Sequence, residues 1–588
     1  MEKIIDLLTE EMQKAFEAAG YDRELGKVAV SNRPDLCEYQ CNGAMAGAKK
    51  YRKAPVMIAN EVAGKLADSK VFGQVSVAAP GFLNLKVTEE FAAEYLRRMR
   101  EEDKFGLKAP EKPKKIIIDY GGANAAKPLH VGHIRSAVIG ESIKRICRYC
   151  GHDVIGDVHL GDWGLQMGLV IMGLKERQPD LVYFDDSYTG EYPEEAPFTI
   201  SELEEVYPAS SARSKVDPEY KAQAMEATYK LQTGVRGYRA LWERIMRVSV
   251  ADLKKNYGSL NVEFDLWKGE SDVQNRIPSM VQYMKDGGYA YISDGALVVD
   301  VKEESDTKEV PPCMILKSDG ASLYNTTDLA TIMERMEMYH PDEIIYVVDK
   351  RQDLYFEQVF RCARKTHLVD ENTALKFVGF GTMNGKDGKP FKTRDGGVMR
   401  LENLIQETKE EMYRKIKEGR DMPEEEARKV AQMVAVSALK YGDLSNQASK
   451  DYIFDIERFT SFEGDTGPYI LYTIVRMKSI LAKYAQQGGD IRKAQIGMPK
   501  NASQKDLMLL LAQFNAVMDN ACEEIAPHKI CAYIYDLANA FNHFYHETNI
   551  LNEENQKEKE GLVALLALTK DVLETCIDVL GFEAPDKM

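Results

Sequence analysis

Residues 115–134 read KIIIDYGGANAAKPLHVGHI, and this stretch decides how the middle of the chain folds. Its first five residues form a short apolar run, which is typical of a strand buried in a parallel sheet. A turn rich in glycine and alanine follows, and a helical pattern begins at Ile134. This order presents free backbone N–H groups and the positive end of a helix to an anion, as in many binding sites for nucleotide phosphates.

The same turn carries side chains that can donate hydrogen bonds to phosphate oxygens, namely Lys127, His130 and His133. Gly132 has no Cβ, so a flat base could approach the backbone closely there. The spacing matches neither the Walker loop GxxxxGK[ST] nor the dinucleotide motif GxGxxG. Two histidines can stand near a helix start by chance, but their position between a strand and a helix favours a nucleotide site.

Further short apolar runs alternate with helical stretches up to about residue 400. Strands are predicted in HDVIGDVHL (152–160), DEIIYVVD (342–349) and ALKFVGFGTM (374–383). Strands that alternate with helices predict an α/β domain with a parallel, Rossmann-like sheet. Acidic, proline-containing sequence breaks this pattern and predicts an insertion at about residues 180–290.

The chain divides into four segments, so the predicted fold class is multidomain α/β. Residues 1–112 form an α+β N-terminal domain that ends at a charged linker containing Pro110 and Pro113. Residues 113–400 form the parallel-sheet domain, and residues 401–465 form a helical connecting segment. Residues 466–588 show long helical periods, which predict an all-α bundle.

Charge and composition limit the function classes. The chain has 77 Lys and Arg against 93 Asp and Glu, a formal net charge of −16, so any nucleic-acid surface must be a local basic patch. No apolar run approaches the roughly 18–20 residues of a membrane span. Acids among the apolar N-terminal positions are wrong for a signal peptide.

Cysteine usage predicts a reduced, cytoplasmic protein. Nine cysteines among 588 residues are too sparse for a disulfide framework. Cys147 and Cys150 form a CxxC that is followed by His152, but no second CxxC completes four zinc ligands. No metal site is therefore predicted, and buried core cysteines are expected.

Several blocks of the sequence resemble the arginyl-tRNA synthetases, a family of class I aminoacyl-tRNA synthetases. ANAAKPLHVGH (123–133) is similar to the class I HIGH signature in the form that this family uses. The first 110 residues resemble the family's extra N-terminal domain, and the helical C-terminus resembles its anticodon-binding domain. The resemblance continues, in the family's order, through GHDVIGDVHLGDWGLQMG (151–168), SLYNTTDLATIMER (322–335), YVVDKRQDLYFEQVF (346–360), GKDGKPFKTRDGG (385–397), LKYGDLSNQASKDYIFD (439–455) and FEGDTGPYILYTIVR (462–476).

The resemblance implies a reaction in two steps. L-Arginine and ATP, with Mg²⁺, give arginyl-adenylate and pyrophosphate, and arginine then passes to arginine tRNA. His130 and His133 would stabilise the charge that develops on the α-phosphate, since such a reaction depends mostly on positioning and on well-placed donors. A monomeric enzyme is expected.

One motif departs from the class I pattern. Most class I enzymes carry a KMSKS signature loop, whereas this chain reads PFKTR (390–394) just before the connecting segment, with Thr393 at the usual second lysine position. Which cation meets the pyrophosphate is therefore open, and Lys127 is our candidate, a substitution seen in this family. Three cations on this glycine-rich loop join His130, Gly132 and His133 as expected ATP-binding residues: Lys389, Lys392 and Arg394. A solvated basic loop is the alternative.

An arginine side chain needs a carboxylate and planar acceptors for its five-donor fork. By resemblance, the partners are Tyr324 and Asp328, an i,i+4 pair on one helix, and Gln352 after the strand 344–348. A core aromatic and an exposed carboxylate are the alternatives for Tyr324 and Asp328. The α-amino and carboxylate end is expected to bind four residues: Gly122, Ala123, Asn124 and His133.

Two local basic stretches are candidates for binding tRNA. Residues 469–505 contain seven cations and one acid, with Tyr469, Tyr472 and Tyr484 interleaved for stacking on anticodon bases. Residues 39–60 contain four cations and no acid, and the resemblance places this stretch at the tRNA D-loop corner. Either run could instead be a solvated face. The residues expected to contact tRNA are Lys49, Lys50, Arg52, Lys53, Tyr469, Arg476, Lys478 and Lys483.

Two alternatives remain. A class I synthetase for cysteine would require a zinc site, and one for glutamate would require basic residues in the amino-acid pocket. A catalytically inactive paralogue that only binds tRNA would not need intact Lys127, His130, His133 and Asp328.

Overall fold

A computed structural model describes residues 1–390, 399–419 and 421–588. The strands, numbered in chain order, are β1 (Val28–Val30), β2 (Tyr39–Cys41), β3 (Phe72–Ala78), β4 (Phe82–Val87), β5 (Lys115–Asp119), β6 (Asp153–Leu160), β7 (Leu266–Gly269), β8 (Ala290–Ser293), β9 (Ala296–Val299), β10 (Cys313–Leu316), β11 (Glu343–Asp349), β12 (Ala374–Phe380), β13 (Met383–Asn384) and β14 (Tyr452–Ile453).

The helices follow the 3.6-residue periods of the sequence. They are α1 (Ile4–Ala18), α2 (Gly43–Tyr51), α3 (Pro55–Gly64), α4 (Glu89–Glu101), α5 (Ile134–Tyr149), α6 (Leu165–Arg177), α7 (Ile200–Val216), α8 (Pro218–Gln232), α9 (Arg236–Ser259), α10 (Ile277–Asp286), α11 (Tyr324–Tyr339), α12 (Asp353–Lys365), α13 (Leu401–Gly419), α14 (Glu424–Leu444), α15 (Ile456–Phe459), α16 (Gly467–Gln486), α17 (Ala502–Ala512), α18 (Phe514–Glu523), α19 (His528–Glu547) and α20 (Gln556–Val579).

The central sheet is parallel, with the spatial order β12-β11-β5-β6-β7 in the described chain. The chain starts at β5 in the middle, moves outward through β6 to β7, and returns to the other side for β11 and β12. This reversal leaves a crevice at the carboxyl ends of β5 and β11, the usual place for a ligand in such sheets. The α/β prediction and the three predicted strands, now β6, β11 and β12, are confirmed.

The predicted insertion differs from the structure. Helices α7, α8 and α9 pack on α6 as an added layer. However, β7 lies within the predicted range 180–290 and belongs to the central sheet. A second addition follows it, an antiparallel sheet in the order β10-β9-β8. The sequence did not reveal β7 because its four residues, LWKG, are mostly half-buried and form no apolar run.

The N-terminal and C-terminal regions also have the fold classes that the sequence predicts. The N-terminal region packs helices on an antiparallel sheet in the order β1-β2-β4-β3, and the region after 466 is helical in its described structure. Two of these helices, α17 and α18, meet at Gln513. No helix in the described ranges is long and apolar enough to cross a membrane. The segment boundaries at 112, 400 and 465 remain predictions.

Candidate active site

The turn that contains the two histidines closes through hydrogen bonds to its own imidazoles. The N–H of Gly132 donates to Nδ1 of His130, and the N–H of His130 donates to Nδ1 of His133, both at 3.1 Å. Since Nδ1 accepts in each ring, the proton of each neutral imidazole is on Nε2. A Cβ on Gly132 would lie 2.8 Å from Cε1 of His130, so this compact turn requires glycine. Each histidine therefore keeps an Nε2–H donor for a ligand.

Both histidines are held neutral by their surroundings. Burial, with smaller contributions from His130 and Lys127, lowers the pKa of His133 to about 3. Burial and the positive charge of Lys127 also lower the pKa of His130. Lys127 is thus the cation of this turn, and its Nζ lies 4.4 Å from the ring centroid of Tyr207 on α7.

Residues 399–401 pair with the histidine turn. The N–H of Val131 donates to the carbonyl of Met399 at 3.0 Å, and the N–H of Leu401 donates to the carbonyl of Leu129 at 2.9 Å. Between these bonds, Arg400 and His130 form an antiparallel bridge. The chain that follows residue 398 therefore runs beside the candidate phosphate site.

The signature loop is described only in part. Lys392 and Arg394, with Thr393, lie outside the described residues. Lys389 is exposed, and its carbonyl accepts a hydrogen bond from the N–H of Gly385 at 2.8 Å. The roles expected for these cations therefore stay predictions.

Ser136 joins the two strands that border the crevice. Its hydroxyl accepts from the N–H of Gly121 at 2.8 Å and donates to the carbonyl of Val347 at 2.7 Å. Gly121 follows β5, and Val347 lies in β11. Ser136, in the first turn of α5, therefore connects these two strands where the direction of the strand order reverses. This contact links the ends of β5 and β11 where a ligand would bind.

The loop after β5 is also bonded to the loop after β6. Asn124 bridges Gly161, whose N–H donates to the carbonyl of Ala123 at 3.1 Å. Ala123 is buried, whereas Gly122 is exposed and Asn124 half-buried. Gly122 has a φ of +40°, a conformation that favours glycine. Gly122 and Asn124 are therefore the better placed of the predicted residues to meet a substrate.

The predicted side-chain partners of arginine lie near the same edge of the sheet. Asp328 is half-buried and accepts a hydrogen bond from the hydroxyl of Tyr355. Burial raises the pKa of Asp328. Tyr324, the first residue of α11, is exposed, and its pKa is raised by partial desolvation and by the nearby charges of Glu270 and Asp328. Gln352 is exposed and ends the short helical turn that follows β11.

Glu270 is a residue that the sequence did not single out. It follows β7, and burial together with the charges of Asp162 and Asp328 raises the pKa of Glu270 to about 7, which His159 partly opposes. Burial likewise raises the pKa of Asp162 to about 6. The one signal that could have found Glu270 is its position at the carboxyl end of a parallel strand, and that strand itself was missed.

One buried cation, Arg335, pairs with two other acids near this edge of the sheet. The guanidinium of Arg335 contacts Asp119 at 2.6 Å and Asp157 at 2.9 Å. Neither Asp328 nor Glu270 has an ion-pair partner among the residues that the structure describes. Since desolvated carboxylates are costly without a cation, this pocket favours a cationic ligand.

Family models match nearly the whole chain. A model described as "tRNA synthetases class I (R), catalytic domain" matches residues 97–456, and "Arginyl tRNA synthetase N terminal domain" matches residues 2–87. The "DALR anticodon binding domain" matches residues 470–588. The chain belongs to the arginyl-tRNA synthetase family. The resemblance recognised in the sequence is thereby confirmed.

Full-length relatives support this family. Proteins named "Arginine--tRNA ligase" from Agathobacter rectalis and Alkaliphilus oremlandii are 63% and 56% identical, with 100% of both chains covered in each case. The solved arginyl-tRNA synthetase structures from Plasmodium falciparum and Thermus thermophilus have TM-scores of 0.80 and 0.76 at 23% and 22% identity. Each of these covers 100% of both chains and shows that the fold is shared.

The cations and tyrosines of the basic stretch in the anticodon-binding domain differ in their exposure and in their partners. The guanidinium of Arg476 lies 4.9 Å from the ring centroid of Tyr472 and 5.5 Å from that of Tyr545. Lys483 is exposed, but Lys478 pairs with Glu574 at 3.1 Å. Tyr469 donates to Asn539 at 2.7 Å. Tyr484, by contrast, is buried, so the expectation that it stacks on bases is wrong.

The N-terminal basic stretch gains acidic partners from elsewhere in the chain. Lys50 pairs with Asp22, and Lys53 pairs with Glu61 at 2.5 Å. Lys49 and Arg52 are exposed. In this arginyl-tRNA synthetase domain, Lys49 and Arg52 therefore remain the better candidates for a tRNA contact.

Proposed function

We propose that this chain activates L-arginine with ATP to arginyl-adenylate and transfers the arginyl group to arginine tRNA. The observation that supports this most directly is the pair of desolvated carboxylates, Asp328 and Glu270, beside a turn suited to phosphate. A guanidinium would supply the cation that this pocket lacks, and its planar fork suits two carboxylates. Tyr324 and Gln352 would complete the amino-acid pocket at its exposed side.

In the nucleotide half of the site, His130 and His133 would donate Nε2–H hydrogen bonds to phosphate oxygens as charge develops on them. Lys127 would supply the positive charge, since both imidazoles are neutral. Lys389, Lys392 and Arg394 would approach the phosphates from the signature loop. Residues 399–401, which follow this loop in the sequence, pair with the histidine turn, and this supports the proposal.

The reacting end of arginine would lie between these two halves. Gly122, Ala123 and Asn124, with His133, would hold the α-amino and carboxylate groups. Mg²⁺ would enter with the phosphates of ATP, as is common for this ion. Within the ranges that the structure describes, no group of three or more His, Cys, Asp or Glu side chains is placed to hold a metal ion.

Binding of tRNA would use both basic stretches. Arg476 and Lys483, with Tyr469, would meet the anticodon arm, and Lys49 and Arg52 would meet a second part of the tRNA. Lys50, Lys53 and Lys478 would contribute less, because each already has an acidic partner. We further propose a monomer that works in the cytoplasm, which rests on the family's role in translation.

The deciding experiment is ATP-dependent charging of total tRNA with each of the twenty amino acids. Arginine alone should be attached, and the product should disappear when ATP is omitted. Charging with another amino acid would favour a different class I specificity. Tight binding of tRNA without any charging, by protein that is folded, would favour the inactive paralogue.

A further inference from the structure

Three thiols and one imidazole meet where the catalytic domain contacts the helical C-terminal domain. Cys147 and Cys150 lie at the end of α5, the helix that begins at the histidine turn. Cys522 lies on α18, which packs directly against α5. The Sγ atoms of Cys522 and Cys147 are 3.8 Å apart. Sequence spacing did not reveal this cluster, because Cys522 is far from the CxxC along the chain.

The cluster gives its three thiols different properties. Cys522 is half-buried, whereas Cys147 and Cys150 are buried. Nδ1 of His152 accepts the N–H of Lys114 at 3.1 Å, so its Nε2–H is the nitrogen that can donate to Cys522. Hydrogen bonds from Cys147, Cys150 and His152 lower the pKa of Cys522. Donation to Cys522 and burial raise the pKa of the other two thiols.

We propose that Cys522 and Cys147 are a redox-sensitive pair that a hydroperoxide converts into a disulfide between α18 and α5. The more accessible thiolate is the nucleophile in such chemistry. With hydrogen peroxide, the Cys522 thiolate attacks one oxygen, the O–O bond breaks, and protonation of the leaving oxygen gives water and a sulfenic acid. The Cys147 thiol then attacks the sulfenic sulfur and passes its proton to the second oxygen, which leaves as water. Overall, two thiols and one H₂O₂ give one disulfide and two waters.

The separation of the two sulfurs suits formation of this bond. A disulfide has an S–S length of about 2.05 Å, so the two sulfurs must approach by less than about 2 Å. Cys150 is the less suitable partner, because its buried thiol can donate either to Cys522 or to the carbonyl of Met518, which lies 3.8 Å from its Sγ. Disulfides in reducing compartments are mostly transient and redox-sensing, which suits a half-buried pair at a domain junction.

The test counts thiols in the full-length protein. The reduced chain has nine free cysteines. After treatment with hydrogen peroxide and removal of the excess, titration under denaturing conditions should show a loss of two thiols, which dithiothreitol restores. Peptide mass spectrometry without reduction should find Cys147 linked to Cys522. The oxidised protein should also have a higher melting temperature than the reduced protein.

Single variants separate this pair from the other cysteines. Cys522→Ser should lose no thiols under the same treatment and should show no rise in melting temperature. Cys150→Ser and Cys37→Ser should still lose two thiols, as the wild type does. Circular dichroism would verify that each variant is folded, and the wild-type peptide map does not depend on any variant.

Other results would overturn the proposal. These are an unchanged thiol count in the wild type, a disulfide that joins Cys522 to Cys150, or a disulfide between other cysteines. Zinc that co-purifies with the protein and protects the thiols from peroxide would make this a metal site instead. The proposal does not rest on the proposed function, so failure of tRNA charging would leave it intact.

Discussion

Arg400 and His130 lie opposite each other in an antiparallel bridge, and the Arg400 side chain pairs with Glu204 at 2.5 Å. This arrangement connects the histidine turn, the chain that follows the signature loop and helix α7. The side chain of Glu204 is 8% exposed and that of Arg400 is 47% exposed, so the pair is partly shielded from solvent. The chain that follows residue 398 is therefore held beside the candidate phosphate site.

Glu204→Gln should disturb this connection without touching the arginine pocket. Removing the charge leaves Arg400 unpaired, so the loop would be placed less accurately beside the turn. Because small misplacements are costly in catalysis, we expect the maximal rate of arginine-dependent ATP–pyrophosphate exchange to fall about tenfold, with unchanged arginine affinity. Glu205→Gln is the matched control, since Glu205 pairs with Arg177 at the surface. Equal rates in both variants would contradict a positioning role.

His133→Ala should remove a donor from the phosphate site. Adenylate formation should slow by about 10²–10³-fold, as with a lost oxyanion-hole donor, whereas tRNA affinity should be unchanged. His133→Gln, whose amide can donate in place of Nε2–H, should recover part of the rate. Single-turnover adenylate formation measures both variants. A folded alanine variant that retains the wild-type rate would show that the histidine turn is not the phosphate site.

Asp328→Asn tests whether the carboxylate of Asp328 binds the guanidinium of arginine. A charge-assisted hydrogen bond is worth about 1.5–3 kcal/mol, and an unpaired buried ion can cost about 3–5 kcal/mol. Arginine kcat/KM should therefore fall by at least about 10²-fold, whereas citrulline, the neutral isostere, should lose far less. Tyr355→Phe keeps the charge and removes only the donor to Asp328, so its effect should be smaller. Equal losses for both ligands would limit Asp328 to a structural role.

Arginine binding should release protons near neutral pH. In the free protein the pKa of Glu270 is raised to about 7, so much of this carboxyl is protonated at pH 6.5. A bound guanidinium favours the carboxylate and expels that proton, so arginine affinity should decrease as the pH falls below about 7. Calorimetry in buffers with different ionisation enthalpies measures the release, which should vanish at pH 8.5. A release that persists in Glu270→Gln would assign the proton to another group.

The cations of the anticodon-binding domain should not be equivalent. Arg476→Ala combined with Lys483→Ala should weaken tRNA binding and lower its log–log salt slope by up to about one unit per lost phosphate contact. Lys478→Ala should change the slope less, because Lys478 already pairs with Glu574. Arginine affinity should not change in any of them. Binding titrations at several salt concentrations measure the slope for each variant. A larger change of slope in Lys478→Ala than in the double variant would contradict this prediction.

Much of the fold could be predicted because its signals are local. The run 115–119 and the glycine-rich turn after it depend on neighbouring residues, and β5, the histidine turn and α5 form where the sequence indicates. The short strand β7 has no such signal, because pairing with β6 rather than its own composition makes it a strand. The residue after it, Glu270, was missed for the same reason.

The sequence by itself determined the family, the alternation of strands and helices around the histidine turn and the residue types that phosphate chemistry requires, since backbone propensity and motif spacing act over a few residues. Only the tertiary structure decided which charges meet. It placed Glu270 beside Asp328, gave Lys50 and Lys478 acidic partners, and brought Cys522 to Cys147. Desolvation and Coulomb interaction depend on distance in space, and segments far apart in the chain set that distance only after they pack.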